Sequence, residues 1–291
     1  MKIAPLELRR PRSVEEVLGQ LGSLGSDGRV LAGGQSLLPM LRYRVLSPHV
    51  LVDIGGVDSL RSCALDDGLA IDALVTHCDM ERLPAAGNEP SVLALLRRHA
   101  AEIAFRPVRA RGTVLGSLMH ADPKGDWPLV FFALDGEVEL QSLRGVRRVS
   151  MQELVAGPLE TTCAVDEFAV RVRVGREKVD PVSWGRSKLS HRAGEYAMCS
   201  AVALNYDSGW ECWLGAIDDR PLKLARVSEQ LSRADAGSQA ELRDGLLAPA
   251  ADELMEAVPD MRRVQALRHA HNLLDAVWMA MDGERRHGNG N

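Results

Sequence analysis

Two stretches of this chain carry the residue types that hold phosphate. The first is Ala32-Gly33-Gly34-Gln35-Ser36-Leu37, which directly follows Val30-Leu31, so a strand runs into a paired-glycine turn and then into a helix. Glycine has no Cβ, so such a turn takes positive φ easily and brings backbone N–H groups within hydrogen-bonding distance of an anion. The first turn of the following helix adds unpaired N–H groups and the positive end of its dipole. A pyrophosphate needs those donors. A plain tight turn uses the same residues and binds nothing, and the hexapeptide alone leaves both readings open.

The second stretch is Arg109-Ala110-Arg111-Gly112-Thr113-Val114-Leu115-Gly116-Ser117, followed by His120-Ala121-Asp122-Pro123 and Asp126. Thr113 and Ser117 can donate to phosphate oxygens, and Asp126 can accept from ribose hydroxyls or an adenine amine. The structural alternatives are a capped loop and, for Asp126 before Trp127-Pro128, an N-cap. Neither stretch has the Gly-x-Gly-x-x-Gly spacing of a dinucleotide-binding Rossmann domain. Two separated phosphate loops point instead to an extended dinucleotide held between subdomains. His77 and His120, the histidines nearest these motifs, read as groups that orient loops rather than transfer protons, and no catalytic residue is assigned.

The elements around the loops follow from capping and periodicity. Ser13-Val14-Glu15-Glu16 gives an N-cap with a capping acid, and Val14, Val17, Leu18 and Leu21 recur at helical spacing until Gly22. Strands over 29–31 and 50–54 complete a compact β-α-β-like unit, and a further strand over 69–74 leads through Thr76-His77-Cys78-Asp79 towards a short helix. Pro90-Ser91 opens a longer helix with Val92, Leu95, Leu96, Ala100 and Ile103 on one face. From Gly112 to Pro128 no period holds, and this stretch reads as a functional loop. Phe168, Val170, Val172 and Val174 alternate with Ala169, Arg171 and Arg173, the pattern of a half-exposed antiparallel strand. Strands over 181–188, 197–206 and 210–217 extend a meander, the last two joined at Asp207-Ser208-Gly209. Helices over 222–231, from about Ala240, and over 261–281 close the chain, and the polar tail 283–291 is expected to be disordered.

Composition narrows the function. A chain of 291 residues with 46% apolar and 26% charged residues suits a globular enzyme, and its net charge of −5 gives no basic face for nucleic acid. No apolar run is long enough to cross a bilayer and no leader is visible, so a cytoplasmic location is expected. The five cysteines form no Cys-x-x-Cys pair, so no metal site or iron–sulfur ligand set is expected here, only reduced thiols in packing sites.

The order and spacing of these motifs resemble the FAD-binding medium subunit of the molybdenum hydroxylases, the family of the xanthine dehydrogenase and aerobic carbon monoxide dehydrogenase flavoproteins. Both glycine stretches carry the resemblance, supported by Leu51-Val52-Asp53-Ile54, Ala73-Leu74-Val75-Thr76-His77, Asp166-Glu167-Phe168, and Lys188 with Arg192-Ala193-Gly194-Glu195-Tyr196-Ala197. It implies an α+β fold. An FAD-binding domain of two α/β subdomains, of the PCMH type and not Rossmann, covers 1–56 and 57–175, and a C-terminal domain of antiparallel strands and helices covers 176–291. It also implies an oxidoreductase subunit that carries FAD and passes electrons from the iron–sulfur clusters of a small partner subunit to an external acceptor. A large partner would hold the molybdenum cofactor, and the whole would be a dimer of heterotrimers.

Site residues follow from the same resemblance. Ala32, Gly33, Gly34, Gln35, Ser36 and Leu37 would hold pyrophosphate together with Thr113, Gly116 and Ser117, with Thr76 and His120 beside them. Asp126 would meet the ribose or adenine. Phe168 and Lys188 would lie against the flavin or its nucleotide, and Tyr196 beside the isoalloxazine. The structural counterparts are a core Phe, a solvated Lys and a half-buried Tyr. Two departures stand out. Leu115-Gly116 replaces two adjacent glycines, which implies either a strained backbone or a harmless side chain turned away. His191 stands where an Arg is common. The competing functions are an independent FAD oxidoreductase, for which no substrate pocket is legible, and a flavin-free assembly scaffold.

Overall fold

The computed structural model describes residues 2–84, 91–234 and 239–288 and separates into two compact units. The first comprises Met1–Leu83, Ile103–Asp122 and Asp135–Arg176; the second comprises Pro84–Glu102, Pro123–Leu134 and Glu177–Asn291. Among the described residues no helix is long and apolar enough to cross a membrane.

In the first unit a three-stranded parallel sheet has the order Glu7–Arg9, Val50–Asp53, Gly28–Leu31. The helix Val14–Leu24 is a crossover that buries Val17, Leu18 and Leu21. Its start is capped from both sides: the Glu16 N–H donates to Ser13 Oγ at 3.2 Å, and the Arg12 N–H donates to the Glu16 carboxylate at 2.7 Å. It runs through Gly22 and ends at Gly25, which takes the φ of +53 that the turn requires.

A five-stranded antiparallel sheet completes this unit, in the order Cys63–Asp66, Gly68–Asp72, Phe168–Val174, Glu137–Ser142, Gly145–Ser150. The central strand is the one that alternation predicts. Val172 and Val174 are buried, while Arg171 and Arg173 pair across the sheet with Asp72 and Glu139, each at 2.6 Å. The hairpin Glu137–Ser142 to Gly145–Ser150 and the edge strand Glu7–Arg9 went unread in the sequence, being short and charged.

The second unit is built on a four-stranded antiparallel sheet ordered Ser183–Leu189, Cys199–Tyr206, Gly209–Gly215, Leu222–Lys223. The helix Arg263–Gly288 presses so closely on it that a Cβ at Gly185 would lie 1.8 Å from the Ala276 carbonyl oxygen. The helices Ala225–Arg233 and Gln239–Ala257 join the same core, around Ala201, Leu214, Val227, Leu254 and Val277. The helix Asp126–Ala133 packs on this sheet with Phe132 and Trp213 edge to face at 6.3 Å.

The stretch 112–128, expected as an aperiodic loop, contains the helix Val114–His120 and the start of Asp126–Ala133. The first is two turns long, and the second is buried on every side from Trp127 to Ala133, so neither shows an amphipathic period. The helix expected from Leu222 begins at Ala225, because Leu222–Lys223 pairs as an edge strand. Pro90 lies outside the described residues. Of the tail expected to be disordered, 283–288 continue the helix Arg263–Gly288, and 289–291 lie outside the described residues.

Candidate functional site

In the first unit the strand Gly28–Leu31 turns through Ala32–Ser36 into the helix Leu37–Arg42. Gly34 takes φ +75. The backbone N–H groups of Gly33, Gly34, Gln35 and Ser36 donate to no backbone acceptor among the described residues. Ser36 is the N-cap of the helix, yet its hydroxyl makes no capping bond. Four consecutive donors and one hydroxyl therefore remain for a ligand.

The second loop is fixed by its own anchors. Arg109, on the helix Arg106–Arg109, donates to Glu81 at 3.0 Å and to the carbonyls of Ile103 and Ala104, each at 3.1 Å. Beyond it, Thr76 and Thr113 pair as an antiparallel bridge, with the His77 N–H on the Gly112 carbonyl at 2.9 Å and the Val114 N–H on the Val75 carbonyl at 3.1 Å. Thr76 spends its hydroxyl on a capping box with Asp79 for the helix His77–Glu81. Thr113 caps the helix Val114–His120, its Oγ1 accepting from the Gly116 N–H at 3.0 Å. His77 is buried beside Gly112, where an added Cβ would come 2.7 Å from Nε2. Burial, and then Arg109, push its pKa down to about 4, so the ring is neutral packing at neutral pH.

The two loops meet. A Cβ on Gly33 would lie 2.1 Å from the Arg111 carbonyl oxygen and 2.9 Å from Gly112 Cα. Backbone packs on backbone there, leaving the unpaired N–H groups of 33–36 close to the chain that enters the Thr113-capped helix. A bent diphosphate is the kind of anion that such a glycine cradle fits. Leu115 answers the question its sequence raised: it lies inside the helix, is 2% exposed, and is not among the positive-φ residues. The backbone is therefore unstrained and the side chain belongs to the core. Gly116 is exposed and Ser117 half-buried on the same helix, and Leu37 is half-buried at the start of its own. His120, also half-buried, has its pKa lowered by burial in spite of Asp122. The ring of Phe168 is buried in the sheet at 3% exposure.

The second unit brings together two further predicted residues and one that the sequence reading missed. Gly125, not Asp126, is the N-cap of the helix Asp126–Ala133, and no side chain caps it. The Asp126 carboxylate instead meets the Lys188 ammonium at 2.8 Å, both nearly buried. Arg186, 2% exposed at its side chain, stands two residues before Lys188 on the same strand face. It binds Glu102 and faces Asp126 Oδ1 at 3.6 Å. Two cations two residues apart on a strand that must bury that face were the available signal, since buried charges need partners. Tyr196 is 58% exposed and lines a concavity of the same unit with His191.

Burial raises the thiol pKa of Cys63, Cys163 and Cys199 to about 11 and of Cys212 to about 12, and all five cysteines are free, so these four thiols stay protonated at neutral pH. No group of three His, Cys, Asp or Glu side chains among the described residues is placed to hold a metal.

Residues 4–176 match the model of a family described as the FAD binding domain in molybdopterin dehydrogenase. The chain is 36% identical over 205 residues to the nicotine 6-hydroxylase medium subunit of Paenarthrobacter nicotinovorans, covering 70% of each protein. It is 32% identical over 204 residues to the carbon monoxide dehydrogenase medium chain of Hydrogenophaga pseudoflava, again covering 70% of each. Among solved structures, a chain of quinoline 2-oxidoreductase from Pseudomonas putida 86 superposes with a TM-score of 0.85 at 28% identity, over 98% of this chain and 99% of that one.

Proposed function

The chain belongs to the family of FAD-binding domains of molybdopterin dehydrogenases, and on that premise we propose that it is the FAD-carrying, electron-transferring medium subunit of a molybdenum hydroxylase. Its partners are a large subunit with the molybdenum cofactor and a small subunit with iron–sulfur clusters, assembled as a dimer of heterotrimers in the cytoplasm. The observation that carries the reading is the closure of the Gly33–Gly34 turn onto Arg111–Gly112 with four consecutive N–H donors unspent.

Bound FAD supplies the redox chemistry, taking up electrons and releasing them to an external acceptor. What the chain does is bind and orient. In the first unit the N–H groups of 33–36, the Ser36 hydroxyl and the Thr113 hydroxyl hydrogen donate to the pyrophosphate, with Ala32, Leu37, Gly116 and Ser117 shaping the walls. Thr76 and His120 hold the second loop from behind. In the second unit Asp126 and Lys188 act as a neutralised pair toward the nucleotide, and Tyr196 presents an exposed ring. For Phe168, burial supports a packing role beneath the site.

An absorption spectrum of the purified chain, with acid release and identification of the flavin, tests the proposal. One FAD per chain supports it, and co-purifying chains that contain molybdenum and iron support the partners. A colourless chain that takes up no added FAD moves the reading to an assembly scaffold. FAD-dependent turnover without partner chains moves it to an independent oxidoreductase.

A further inference from the structure

The second unit carries an open concavity of about 720 Å3, of which the flavin assignment uses only Tyr196. Its lining comes from the start of the helix Arg263–Gly288, from residues between His191 and Met198, and from Ala216 and Ile217. Its charged side chains are Arg268, Lys124 and Glu195, with the imidazoles of His191 and His269 beside them. Arg268 has no carboxylate partner among the described residues. His269, the next residue, is only 7% exposed, and its Nδ1 is buried with no hydrogen-bond partner. Buried imidazole nitrogens are normally paired, so a ring held this way, next in sequence to a guanidinium without a carboxylate partner among the described residues, is a built feature and not a solvated surface group. Apart from Gln265, the remaining lining is apolar and includes Met198, Ile217 and Met261 together with Tyr196.

We propose that this concavity binds a small organic oxyanion, a ring or short apolar body bearing one carboxylate or phosphate. Arg268 and His269 hold the anionic group, and Tyr196, Met198 and Met261 hold the body. A guanidinium suits either oxyanion through paired N–H donors, and Arg268, with no carboxylate partner among the described residues, favours a negative group over a neutral ligand. The half-apolar wall favours an organic ion over a bare inorganic one. The site lies wholly within the second unit and does not depend on the glycine loops of the first.

The test is titration of the full-length chain, as purified and again after saturation with FAD, with phenyl phosphate, benzoate, inorganic phosphate and phenol, read by calorimetry. Phenyl phosphate or benzoate is expected to bind more tightly than either inorganic phosphate or phenol. Arg268→Gln, a change at an exposed position, is expected to leave the melting temperature unchanged and weaken the organic anion about tenfold. His269→Gln is expected to weaken it as well and serves as the second variant. Equal affinity in wild type and Arg268→Gln overturns the proposal, as does inorganic phosphate binding as well as phenyl phosphate. Loss of probe binding on saturation with FAD also overturns it, by assigning the concavity to the flavin.

Discussion

The carbonyl oxygen of Arg111 occupies the space where Gly33 would carry a side chain, 2.1 Å from an ideal Cβ. Residues almost eighty positions apart in the chain thus form one backbone surface, and the first loop is shaped as much by the second as by its own turn.

Gly33→Ala is therefore expected to force the two loops apart. Overpacking of this kind costs about 1–3 kcal/mol, and the displaced N–H donors should weaken FAD at least about tenfold. The ratio of flavin to protein absorbance after dialysis measures the second effect and urea denaturation the first. Full flavin occupancy in the variant would show that the cradle is not where the diphosphate sits.

Leu115→Gly creates the paired glycines that the resemblance implies and is expected to gain nothing in flavin affinity. It removes a core side chain at a cost of about 2–5 kcal/mol and places glycine in a helix at about 1 kcal/mol more. Melting temperature and the FAD dissociation constant separate the two: the first falls and the second stays within about twofold of wild type.

Much of this was legible in the sequence, and the reasons for the rest are physical. Ser13 and the strand Phe168–Val174 behave as their patterns predict, because caps and alternation are local; the capping box of Thr76 is visible only in the structure. The glycine motifs themselves were readable, but their meeting was not, since contact between Gly33 and Arg111 depends on how two sheets are arranged. The extent of helix Asp126–Ala133 was not legible, because a segment buried all round has no polar face to set a period. For Asp126, read as a contact to the ribose or adenine with an N-cap as the alternative, only the neighbouring strand reveals Lys188 and Arg186 as its partners.

Asp126→Asn leaves Lys188 and Arg186 with a carboxylate too few in a nearly buried site. Removing one partner of such a pair costs about 3–5 kcal/mol, whereas Asp126→Asn combined with Lys188→Met should recover part of the loss. Denaturant midpoints of the two single variants and the double variant give the coupling. Additive losses would show that the pair is not an energetic unit.

Stability should depend on pH through His77. Its folded pKa of about 4 lies below the ordinary value of 6.5, so the unfolded chain binds the extra proton between those limits. The contribution is complete above about pH 6.5, declines as pH falls towards 4, and is constant below that; at 1.36 kcal/mol per unit it amounts to about 3 kcal/mol. His77→Gln should flatten this part of the urea-denaturation profile. His269, also lowered to about 4 by burial and Arg268, should leave a second slope of the same sign that only His269→Gln removes.

The route of the chain has a consequence for its synthesis. It passes between the two units five times, and the stretches 84–102 and 123–134 belong to the unit whose sheet begins only after residue 177. A ribosome that has released the family-matched region 4–176 has therefore made Trp127 and Phe131 before any strand exists to cover them. The nascent chain must keep that apolar helix waiting for more than fifty residues, a window in which holding chaperones would be expected to act and in which a premature stop would yield an insoluble fragment rather than a smaller flavoprotein.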